Sequence, residues 1–233
     1  MERAVVIFSI DDGRSDLYRL AKEILIPQNI PATFNITTGK EFFTKFSSIT
    51  REELMELGTC PLFEIANHSD LHTNEFDDIH KGYLKLCDWF GYDNTVPIGF
   101  ASPGSRMSVE YIEENITELN KIGVKYARSC GSDFNTDENV IALKSYPVRS
   151  IITVDELKKL ADSAVENKKC LIYLFHSVLK KGEPNYENLW SYDYDDFKEC
   201  LAYVKDLQNQ GKLDIMTTMD YVNMQLDKQK NGV

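Results

Sequence analysis

Short apolar runs alternate with helix-length amphipathic stretches along the whole chain, and no other feature of the sequence restricts its folding as strongly. The runs are AVVIFSI (4–10), PATFNIT (31–37), LFEIAN (62–67), PIGFAS (97–102), VKYARS (124–129), CLIYLF (170–175) and LDIMT (213–217). They read as strands, with VIALKSYPV (140–148) a weaker eighth. Between them, Thr50 with Glu53 and Thr153 with Glu156 make capping boxes, while Gly58, Gly123 and Gly211 fall where helices should stop. Repeated strand and helix units of this size predict an α/β fold with a mostly parallel sheet, closed as a barrel or doubly wound. No linker-like stretch divides residues 1–233, so a single domain is expected.

Polar residues recur at the C-terminal ends of these strands: Asp11 and Asp12 after the first, His68 and His72 after LFEIA, Ser102 and Pro103 after PIGF, Arg128 after VKYA, His176 after CLIYLF. In a parallel α/β fold those ends share one face, so residues far apart in sequence meet there.

With 37 acidic against 26 basic residues, the formal charge of −11 argues against nucleic acid and anionic membrane surfaces as partners. No apolar run approaches a membrane span. The opening MERAVVIFSIDDG reads as a first strand rather than an export signal, and five cysteines without CxxC spacing read as reduced thiols. Both point to a cytoplasmic protein, in which the sequons at Asn35, Asn67 and Asn115 go unused.

HSDLH pairs His68 and His72 at i, i+4, which on a helical turn puts both imidazoles on one side to hold a divalent metal. Asp11 or Asp12 would complete a set of two histidines and one carboxylate, leaving positions open for water and substrate. Taken singly, each signal has a plainer meaning: DDG as a turn, HxxxH as loop polarity, His176 in LIYLFHSV as a core residue. Their placement on one predicted face sets them apart.

In these motifs, and in their order from Ser9 to about Tyr221, the chain resembles the polysaccharide deacetylases with the NodB homology domain, carbohydrate esterase family four. SIDDG is similar to the first family motif, TFDDG; HSDLH to the second, HSxxH; LFHS to the last. The resemblance implies a distorted (β/α) barrel of about seven mostly parallel strands, with Asp11 as general base and His176 as general acid. It implies Asp12, His68 and His72 as ligands of a divalent metal, zinc first, with cobalt or another transition metal as alternatives.

The chain departs from the family at the third and fourth motifs. Where the third reads RxPxG, this sequence has FASPGS: Ala101 replaces the arginine that pairs with the catalytic aspartate. Pro103 is kept, and Gly104 stands where an aromatic residue commonly offers its backbone N–H to the oxyanion. Gly104 keeps that donor without the aromatic wall, and Arg128 is the candidate replacement for the guanidinium. The fourth motif is weak: Asp133 in SCGSDF either holds His176 or decorates a surface turn. NYENLWSYDYDDF (185–197) either meets sugar or packs its rings on the barrel.

The expected activity is metal-dependent removal of an acetyl or other short acyl group from an N-acylated amino sugar. The substrate would be a small molecule or oligosaccharide, with a cytoplasmic glycan precursor foremost. The alternatives are a catalytically silent domain that binds metal and carbohydrate, and a hydrolase of another non-peptide C–N bond. Oligomeric state is left open by the sequence.

Overall fold

The computed structural model describes residues 2–39, 47–131, 133–138 and 140–231. Seven parallel strands close into a ring in sequence order: β1 (Ala4–Ile10), β2 (Ala32–Ile36), β3 (Phe63–Asn67), β4 (Ile98–Ala101), β5 (Val124–Cys130), β6 (Ala142–Pro147) and β7 (Cys170–Phe175). The seam is β1 against β7, in register from Val5↔Cys170 to Ile10↔Phe175. β8 (Ser177–Leu179) and β9 (Ser191–Asp193) make a separate parallel pair beyond the seam.

Two strand assignments change roles. Residues 140–148, the weaker eighth run, supply β6, a full member of the ring. Residues 213–217 supply only β10 (Leu213–Ile215), which pairs with Ala4, Val5 and Val6 at the N-terminal end of β1. The C-terminal end of β1 is taken by β2 through Ser9 and Ile10, so β10 has no room to enter the ring.

The strand period of two sorts the side chains. In β1, Ala4, Val6, Phe8 and Ile10 face outward into the main core under the helices, while Val5 and Ile7 face inward with Tyr126 and Ile172. Around this ring lie α1 (Asp16–Leu20), running into a π-helical turn at Ala21–Leu25, and α2 (Arg51–Gly58), α3 (Phe76–Phe90), α4 (Val109–Lys121), α5 (Val154–Asn167), α6 (Tyr194–Asn209) and α7 (Thr218–Asn231). Both expected capping boxes form, at Thr50 and Thr153. Among the described residues no helix is long and apolar enough to cross a membrane, and the five cysteines are free thiols.

Candidate active site

Continuing each strand's alternation past its end explains which side chains meet. In β1 the inward phase of Val5 and Ile7 runs on to Ser9 and Asp11; in β5 the phase of Tyr126 runs on to Arg128; in β7 that of Ile172 runs on to His176. The C-terminal half of the barrel interior is therefore polar and buried: Ser9, Asp11, Asn35, Arg128 and Ser145 are each no more than 4% exposed.

Asp11 is held from two other strands. Its Oδ1 accepts from Asn35 Nδ2 at 2.8 Å and from Arg128 Nη2 at 2.5 Å, and Arg128 Nη1 donates to Ser145 Oγ at 2.9 Å. Burial opposes charge on Asp11, but Arg128 and the neighbouring imidazoles of His68 and His176 outweigh it and lower the pKa. Ala101 and Arg128 are register partners on β4 and β5. The guanidinium thus reaches Asp11 from the strand adjoining the one that carries Ala101.

Asp12 turns away from the barrel axis at a left-handed φ of 76°, with Gly13 following at 71°. Its Oδ2 accepts from Arg14 Nε at 2.9 Å and lies 2.7 Å from Arg14 Nη2. Its Oδ1 is buried, accepts no hydrogen bond, and faces His72 Nε2 at 3.4 Å and His68 Nε2 at 3.5 Å. One ligand atom from each of these three residues lies within 4.8 Å of the others. His68 Nδ1 lies 2.8 Å from the Ala101 carbonyl oxygen, a bond that puts the proton on Nδ1 and leaves Nε2 as a lone-pair donor. An orphaned carboxylate oxygen and two converging imidazoles form a donor set that fits a divalent transition metal.

The histidine pair does not converge through a helical turn. Residues 68–72 form an irregular loop in which Ser69 and His72 take left-handed φ values of 62° and 59°. Side chains satisfy its amides instead of a helical ladder: Asn67 Oδ1 accepts from Ser69 N–H, and the Asp78 carboxylate from the N–H groups of Leu71 and Thr73.

His176 follows β7 with its ring 4.8 Å from that of Trp190 and its Nδ1 buried without a hydrogen bond. Burial pushes it down to about 4, against the pull of Asp12 and Asp11, so it is a neutral imidazole at pH 7. In an unfolded chain its pKa returns to about 6.5. Between pH 6.5 and about 4 the unfolded chain then binds the extra proton, so this residue makes the fold less stable as pH falls. The carboxylates of Asp11 and Asp12, with lowered values, lose their contribution only below this window. For metal-free protein, urea unfolding at pH 7, 5.5 and 4.5 should show the wild type losing stability relative to His176→Gln as pH drops. A gap independent of pH would contradict this.

Asp133 does not hold His176. Its side chain is 74% exposed and lies 3.4 Å from Lys144 Nζ, on a surface turn. Gly104 sits exposed in a short turn at Pro103–Ser105 with φ +58°, and a Cβ there would meet only Arg106. The turn is open where an aromatic ring would otherwise stand, and Asn74 ties it to the His72 loop by donating to the Pro103 carbonyl at 2.9 Å. Asn35, Arg14 and Ser145 were not anticipated. Asn35 and Ser145 share the inward phase of their strands, and Arg14 stands two residues from Asp12.

No protein-family model matches the sequence, and no curated protein does. Solved structures do. The catalytic domain of a peptidoglycan N-acetylglucosamine deacetylase from Eubacterium rectale aligns over 88% of this chain and 85% of its own, at 18% identity and TM-score 0.53. A family 4 acetyl xylan esterase from Clostridium thermocellum, solved with a cobalt ion, aligns over 94% and 91%, at 14% identity and TM-score 0.53. The Streptococcus pyogenes deacetylase PplD matches at 18% identity and TM-score 0.48 over 59% of this chain, which spans 61% of that protein. The closed ring of seven parallel strands is the fold of the polysaccharide deacetylases, as the motif resemblance implied.

Proposed function

We propose that this chain is a metal-dependent hydrolase that removes an acetyl or other short acyl group from an N-acylated amino sugar, with a cytoplasmic glycan precursor as the expected substrate. The observation that carries this is the pairing of Asp11 with Arg128 directly beside the donor set of Asp12, His68 and His72. The deacetylase activities of the structural neighbours agree with it.

Asp12, His68 and His72 would hold the ion. A divalent cation there would supply Lewis acidity, lowering the pKa of water to about 7 and stabilising negative charge on the amide oxygen. Asp11, ionised and held by Arg128 and Asn35, takes a proton from the attacking water as the C–O bond forms. His176, neutral at rest, accepts the proton held by Asp11 and passes it to the amide nitrogen as the C–N bond breaks, leaving a carboxylic acid and an amine as products. The Gly104 N–H is the proposed additional donor to the oxyanion. Arg14 keeps Asp12 oriented by occupying the oxygen turned away from the histidines.

Acid and amine release from N-acetylated and N-formylated sugars tests this, with Asp11→Asn and His176→Ala as controls. A chelator should lower turnover by roughly 1,000-fold or more, and Asp12→Ala should abolish stoichiometric metal binding measured by elemental analysis. Hydrolysis that survives chelation and both control substitutions would rule out the mechanism.

A further inference from the structure

Five of the seven arginines of this acidic chain face carboxylates. Arg3 meets Asp214, Arg14 meets Asp12, Arg19 meets Glu183, Arg51 meets Asp88 and Arg128 meets Asp11. Arg149 faces no carboxylate among the described residues. Its guanidinium lies 4.8 Å from the centre of the Trp190 ring, and its Nε is buried without a hydrogen-bond partner. A buried donor on a charged group costs free energy unless something pairs with it, so such an atom calls for a partner.

The position of Arg149 shows where that partner would come from. Trp190 also lies 4.8 Å from His176, so the guanidinium and the imidazole are no more than about 10 Å apart across one indole. Two backbone bonds fix the arrangement: Ser150 N–H donates to the Leu189 carbonyl at 3.0 Å, and Ser177 N–H to the Trp190 carbonyl at 3.4 Å. Arg149 is half-buried as a whole, and Ile151 and Leu189, near it in sequence and on the paired segment, are 69% and 43% exposed. A planar cation stacked on an aromatic face is preorganised for bidentate pairing with phosphate or carboxylate.

We propose that Arg149, supported by Trp190 beside His176, is an anion subsite that selects N-acyl sugars carrying a phosphate or carboxylate group. This rests on the hydrolase reading of the neighbouring site and narrows its substrate class. The negative group docks on the guanidinium while the adjoining sugar places its amide toward His176 and Asp11. Neutral oligosaccharides lack the group that fills this position.

The test compares kcat/KM for a neutral N-acetylated disaccharide, the same disaccharide bearing a uronic carboxylate, and N-acetylglucosamine 1-phosphate, together with calorimetric binding of the phosphate. The wild type should favour one anionic substrate over the neutral one by about 10- to 100-fold, and the preferred member identifies the anion. Arg149→Met, which keeps an unbranched side chain but removes the charge, should collapse that ratio toward one; Arg149→Lys should retain part of it. Raising ionic strength should weaken the wild type's KM for the anionic substrate more than for the neutral one, a readout that needs no variant. Equal kcat/KM for anionic and neutral substrates in the wild type, or an undiminished ratio in Arg149→Met, overturns the proposal. If no N-acyl sugar is hydrolysed but the 1-phosphate binds the wild type and not Arg149→Met, the hydrolase reading fails and the anion subsite stands.

Discussion

Asp11→Asn is expected to lower kcat by roughly 100- to 10,000-fold, the range assigned to a positioned general base, while metal content per chain stays at the wild-type level. The asparagine amide preserves shape but cannot take a proton from water at neutral pH. The proposed ligand set stays intact, because Asp12, His68 and His72 do not include it. The substitution also leaves the guanidinium of Arg128, buried to 2% exposure, without its counter-charge. Breaking a buried pair by removing one partner costs about 3–5 kcal/mol, so chemical denaturation should show a lowered midpoint beside the lost turnover. Kinetics, elemental analysis and a urea curve on one preparation separate these effects. Turnover within threefold of wild type would remove Asp11 from the role of base.

Arg128→Ala is the second large effect and works through Asp11. Without the guanidinium, Asp11 keeps Asn35 as a donor but loses its only arginine partner among the described residues. Its pKa then rises from the lowered value, because burial is no longer opposed by that charge. A stability loss of about 3–5 kcal/mol is expected from the unpaired carboxylate, with turnover falling by roughly 10- to 100-fold and metal content unchanged. Because the base must be ionised to work, the acid limb of the kcat/KM profile should move to higher pH in this variant. An unmoved acid limb would show that Arg128 serves the fold and not the base. Arg128→Lys keeps a positive charge and should recover part of both quantities, but not the simultaneous contact with Ser145.

Much of this architecture is legible in residue order because its signals are local. Apolar runs with strand spacing, and a threonine three residues before a glutamate, act within a few positions, and the strands and capping boxes follow them. The site was legible to the extent that strand ends are. Asp11, Asp12, His68 and His72 all lie on the C-terminal side of their strands, and Arg128 lies near the end of the strand next to the one that carries Ala101, from which a guanidinium can reach Asp11.

What the sequence hid depends on contacts between distant segments. β6 carries Lys144 and Ser145 in its midst and looks weak alone, yet it closes the ring between β5 and β7. Asn35 resembles a sequon member until β2 is placed beside β1. The His68–His72 spacing suggested a helix, but the amides of that loop are satisfied by Asn67 and Asp78, which spacing alone does not reveal. The aromatic stretch before α6 divides its labour: Tyr192 is buried against Phe175, whereas Trp190 packs on His176.

The seam between β1 and β7 also orders events during synthesis. The donor set lies entirely within the first 72 residues, while the partner of Asp11 is residue 128 and the imidazole beside Trp190 is residue 176. A chain emerging from its N-terminus therefore exposes every side chain of the proposed donor set well before β7 is available to close the ring, and contacts of such sequence separation form slowly. In the nascent chain the proposed cation-binding half of the site precedes the proposed proton-transfer half, and only ring closure joins them.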